Sequence, residues 1–169
     1  MLRMSNGLTA VFLDVLVLAA VRHGRTDWEQ QVAYWWVEHD QSRMGSGCVG
    51  FDVSELGWSE ASFDAQKRFL LQVIDAALSR EGWERLSFVP SQERLFPALR
   101  TFQEMIGAFP REAIPLGSGA EEDWVPRDLP THGSCEVHQV FLHETGCILC
   151  NDAPVDTPPA RAPHRTRTG

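Results

Sequence analysis

A chain of 169 residues and 19.0 kDa, 43% hydrophobic, has material for one domain and a small appendage. Its formal net charge is −8, and the last nineteen residues carry three Arg against Asp152 and Asp156, so the first 150 residues stand at −9. Such a body repels nucleic-acid phosphates and anionic lipid, and it suits a basic protein surface. Lys67 is the only lysine among 15 basic residues, a bias associated with GC-rich bacterial genomes.

The first element is the apolar run Leu8 to Val21. At about 1.5 Å per residue it falls short of a bilayer. Arg3 before it and Ala19-Ala20 after it have the layout of a signal peptide, but Asp14 interrupts the run and argues against one. Val11 to Val21, rich in Val, Leu and Ala, reads as a β-strand buried on both faces. Thr26 and Glu29 have the spacing of a capping box, predicting a helix with Trp28, Val32, Trp35 and His39 along one stripe. Residues 41–61 follow as glycine-bearing loop, with a short strand at Val49–Val53 and a solitary Cys48.

Ser62 caps the strongest predicted helix, in which Phe69, Leu70, Val73, Ile74, Ala77 and Leu78 recur at spacings of three and four. Gly82 supplies its left-handed stop. Trp83 to Val89 alternates Trp83, Leu86 and Phe88 with polar neighbours and reads as a strand ending at Pro90. A third helix holds Leu99, Phe102, Met105, Ile106 and Phe109. It starts near Pro97, or bends there after an earlier turn from Ser91. Residues 111–130 have a Pro/Gly linker composition, within which Trp124 is expected to dock on the main body. Residues 153–169 are too poor in apolar side chains to order themselves.

Between linker and tail lies Cys135-Glu-Val-His138, then eight residues, then Cys147-Ile-Leu-Cys150. Two pairs of metal-ligand side chains, each with a two-residue gap, suit a tetrahedral Zn²⁺. Three of the four cysteines fall in these sixteen residues. Clustered thiols point to thiolates on a metal rather than scattered disulfides, and so to the cytoplasm. His132 and His143 are nearby replacement ligands for His138. Knuckle, short hairpin over Val140-Phe141-Leu142, and second knuckle together resemble the small zinc ribbon family. That resemblance implies Cys135, His138, Cys147 and Cys150 as ligands. Four protein ligands leave no open position for water, so the implied Zn²⁺ is structural.

A second resemblance lies upstream. Leu16 to Val21 followed by Arg22-His23-Gly24-Arg25-Thr26 is similar to the opening of the histidine phosphatase family. It implies a phosphohydrolase with His23 as the phosphoryl-accepting nucleophile and Arg22 holding phosphate oxygens. The second His and Arg that the family uses would fall to His132, in His132-Gly133, and to Arg94.

These readings give an α+β fold, a small mixed sheet packed with about three helices, plus a C-terminal zinc-ribbon hairpin. The domains are 1–110 for the α+β body, 111–130 for the linker, 131–152 for the ribbon and 153–169 for a disordered tail. The function expected is non-catalytic: a zinc-binding cytoplasmic protein that binds another macromolecule, foremost a basic protein, in an immunity-, antitoxin-like or regulatory role. The alternatives are the His23 phosphohydrolase and a zinc-ribbon regulator touching nucleic acid. The acidic body weighs against nucleic acid, and no membrane is implied.

Overall fold

Residues Asn6–His23 form one continuous helix, α1, and its composition explains both its place and why periodicity misreads it. From Phe12 to Ala20 no side chain is more than 2% exposed. A helix apolar around its whole circumference has to be enclosed by other elements, and α1 packs against every other helix of the described chain. The computed structural model describes residues 4–39, 51–114, 133–142, 146–147 and 149–150.

The predicted Val11–Val21 strand is therefore helix, and the α+β expectation is overturned. The described residues form four α-helices: α1, α2 (Asp27–His39), α3 (Phe63–Leu78) and α4 (Gln92–Ala108). They contain no strand, only isolated bridge residues such as the antiparallel pair Ser134–Phe141. A run buried on all sides has no polar face, so it carries neither the two-residue nor the 3.6-residue signature. Asp14, fully buried within that run, also fails to mark an end of the element.

Two further strand expectations fall. Trp83–Val89 is a 3-10 turn at Trp83–Arg85 followed by bends. Of Val49–Val53, residues 49 and 50 lie outside the described residues, and Val53 opens a 3-10 turn, Val53–Glu55. Residues 51–61 form no open loop. Leu56 and Trp58 are buried, Trp58 donates from Nε1 to the Val53 carbonyl at 2.6 Å, and its ring stacks on Phe109 at 5.0 Å. Trp28 on α2 reaches the Gly57 carbonyl at 2.8 Å. The segment is an aromatic plug under α2, α3 and α4.

Helix ends follow the local rules more closely. The Glu29 carboxylate accepts from the Thr26 N–H at 2.9 Å, completing the capping box that starts α2. Gly24, buried at the α1–α2 corner, leaves room that a Cβ would not, since the Ala20 carbonyl oxygen lies 3.0 Å from that position. α3 stops where the Glu81 N–H donates to Ala76 O and the Arg80 N–H to Ala77 O, a Schellman closure with Arg80 at φ 64°. Gly82, expected as that stop, sits two residues further on with φ 82° and faces the Leu18 side chain on α1. α4 begins at Gln92 after Ser91 and carries Pro97 inside it. The hydrogen bond that Pro97 forfeits is the one to the Glu93 carbonyl, at an exposed residue of the first turn, where its loss costs little.

On α2 the buried face is Val32, Ala33, Trp36 and Val37, so Trp36 rather than Trp35 is the fully enclosed member of the Trp pair. No helix of the described residues is long and apolar enough to cross a membrane.

Candidate metal centre

Gly133 to Leu142 folds into a tight loop whose backbone closes on itself. The Leu142 N–H donates to Gly133 O at 3.0 Å and the Cys135 N–H to Val140 O at 2.9 Å. Inside that frame the Gln139 N–H reaches back to Cys135 O at 2.8 Å, and Gln139 takes φ 54° to leave the turn. Residues 136–138 are thereby wrapped so that Cys135 and His138 face one point. The His138 backbone N–H also points at Cys135 Sγ, 3.4 Å away. Gly146, at φ 100°, then leads into the second turn, which presents Cys147 and Cys150.

The four ligand atoms Cys135 Sγ, His138 Nδ1, Cys147 Sγ and Cys150 Sγ all lie within 4.8 Å of one another. A tetrahedral Zn²⁺ with ordinary bond lengths requires edges of about 3.8 Å between sulfurs and about 3.6 Å between sulfur and nitrogen. His138 Nδ1 stands 3.7 Å from Cys135 Sγ, 3.5 Å from Cys147 Sγ and 3.4 Å from Cys150 Sγ. Cys135 Sγ and Cys150 Sγ are 3.7 Å apart. The donor set and its spacing fit the ion, and none of the three cysteines is joined in a disulfide.

Electrostatics divides these thiols. Burial opposes ionisation of Cys135. The His138 and Val137 backbone N–H groups, with side-chain bonds from His138 and Cys147, outweigh it and bring the pKa down to about 6. Burial pushes Cys147 up to about 12, against its own backbone hydrogen bonds and with the Cys135 charge adding to the shift. A cation at the centre would reverse that penalty and draw the proton off Cys147.

The cluster is seated on the helical body. Arg85, from the turn after α3, donates to the His138 carbonyl at 3.1 Å and to Gln139 Oε1 at 3.3 Å. Tyr34 on α2 meets the Phe141 ring edge-on at 6.2 Å. Val140 and Leu149 are buried in the same apolar cluster as the helices. Of the hairpin expected over Val140–Leu142, the described residues show a bridge at Phe141, and its turn at 143–145 lies outside them. His132, His143, Cys48 and Trp124 lie outside the described residues, as do the side chain of His39, the span 115–132 and the tail 153–169.

Arg22, His23 and Gly24 end α1 instead of following a strand. His23 Nε2 lies 3.0 Å from Glu81 Oε2 and Nδ1 lies 3.1 Å from Gln72 Nε2. A neutral ring with its proton on Nε2 satisfies both bonds, which engages both nitrogens. Arg22 Nε stands 3.6 Å from the same Glu81 carboxylate. Arg94 lies in the first turn of α4 and is exposed. Sequence reasoning missed Arg85 and Tyr34, which sit 50 or more residues from the cluster they support and carry no local signal. Compared with known protein families, with curated proteins and with solved structures, the chain matches none.

Proposed function

We propose that Cys135, His138, Cys147 and Cys150 hold one structural Zn²⁺, which fixes the C-terminal segment to the helical body. The observation that carries this reading is the set of sulfur–nitrogen and sulfur–sulfur separations, 3.4–3.7 Å, at the edges of a zinc-sized tetrahedron. Three sulfurs and one imidazole favour zinc over harder cations, which take oxygen ligands. With every position filled by protein, the ion activates no water, so its role is architectural. A zinc-fastened surface on an acidic body suits a non-catalytic protein that binds a basic protein partner, in the manner of an immunity protein or antitoxin.

The deciding experiment is elemental analysis of protein purified under reducing conditions. One zinc per chain is expected, falling below a tenth in a Cys147→Ala, Cys150→Ala double variant. A wild-type preparation that holds no zinc after incubation with excess metal rejects the reading.

A further inference from the structure

The three cysteines of the cluster differ in their exposure to solvent. Cys147 and Cys135 are buried at 5% and 9% exposure, whereas Cys150 is exposed. An oxidant arriving from solvent meets Cys150 first. The thiol poised to answer is Cys135, whose sulfur is 3.7 Å away with no atom needed between them. A disulfide requires about 2.05 Å, so Cys150 has to move inward by less than 2 Å, from the exposed end of its turn.

We propose that this cluster is a peroxide-responsive switch, in which a hydroperoxide joins Cys150 to Cys135 and expels the metal. The inference rests on the zinc reading above. In the first step the Cys150 sulfur gives an electron pair to one oxygen of hydrogen peroxide. The O–O bond breaks, Cys150 becomes a sulfenic acid, and the hydroxide released takes a proton to leave as water. In the second step the Cys135 sulfur attacks the Cys150 sulfur. The S–S bond forms, the S–O bond breaks, and the second oxygen leaves as water with another proton. Two thiolates, one hydrogen peroxide and two protons thus become one disulfide and two waters.

The metal leaves because its site no longer exists. Only His138 and Cys147 remain as donors, half of what a structural zinc site uses. The consequence reaches the docking surface, because His138 is the residue whose carbonyl Arg85 grips. Oxidation therefore unfastens the loop from the turn after α3, and thiol reductants with added zinc restore it.

The test uses the full chain carrying Cys48→Ala, which removes the fourth thiol. The protein is loaded with zinc, its metal content is measured, and it is exposed to hydrogen peroxide with a chromogenic chelator present. The expected result is one zinc released per chain, a Cys135–Cys150 disulfide in the peptide map, and recovery of bound zinc after reduction. Cys150→His keeps four ligands. Its zinc loss to chelator alone is measured first, and the acceleration of release by peroxide over that baseline should be at least about tenfold smaller than in the parent, since the exposed thiol is gone. Zinc retained through peroxide treatment, a Cys147–Cys150 bridge instead, or equal acceleration by peroxide in Cys150→His would each overturn the switch while leaving the zinc site standing. Reduced protein that takes up no zinc at all overturns the site and the switch together.

Discussion

The helical body and the metal loop are held by opposite means. Around α1, a stretch from Phe12 to Ala20 is enclosed on every side, and stability is spread over many modest apolar contacts. In the loop, four atoms within 4.8 Å of one another carry the organisation, assisted by Arg85 and the Tyr34–Phe141 ring contact. The first region tolerates the loss of any one contact at a graded cost. The second depends on each donor, and its loss is all or none.

That contrast is sharpest when a donor is removed. His138→Ala or Cys147→Ala should lower zinc affinity by at least about a thousandfold, a fraction of the ~10–16 kcal/mol that a structural zinc site supplies. Chelator competition reads the affinity. Circular dichroism should show the helices retained, and global loss of helix would mean that the two regions are not separable. Leu16→Ala, at a fully buried position of α1, should instead cost about 2–5 kcal/mol in urea unfolding. The protein that remains folded should still bind one zinc.

Protons offer a finer separation. With Cys147 held at about 12, its thiol is protonated at neutral pH and must ionise to coordinate. Zinc affinity should therefore rise with pH, by about tenfold per unit near pH 7 for this one proton. Below about 6, where Cys135 also takes up a proton, the dependence should steepen. Calorimetry in two buffers of different ionisation enthalpy counts the protons, and a count of zero at pH 7 contradicts the assignment.

Smaller effects mark the seam and the body alone. Arg85→Ala should weaken zinc binding by about tenfold, as loss of a support to a ligand does, with little change in the unfolding of the helices. Arg80→Gly should stabilise the body by about 1 kcal/mol. It relieves a left-handed backbone position without touching the loop, and a thermal shift assay at saturating zinc reads the gain.

What could be read from the sequence divides along the same line. Cys135, His138, Cys147 and Cys150 were visible because a two-residue gap brings chelating atoms together through short-range chain geometry alone. α3 was visible because Phe69, Leu70, Val73, Ile74 and Ala77 line one face while the opposite face is polar. The capping box at Thr26 and Glu29 is equally local. α1 was misread because enclosure by three partners erases the polar face that would reveal its period. Trp83–Val89 was misread because its imperfect alternation comes from a 3-10 turn and bends. Arg22, His23 and Gly24 were legible as a motif but not as a helix end, because the partners Glu81 and Gln72 lie about 50 or more residues away in the chain.

The central position of α1 also bears on how the chain comes off the ribosome. Synthesis delivers α1 before any helix that will surround it, and α4 is complete only at Ala108, 85 residues after His23. At roughly 5–20 residues per second, an oily rod waits on the order of ten seconds for its last neighbour. During that interval its apolar surface lacks the helices that later enclose it, the condition under which a partly made chain is most prone to self-association.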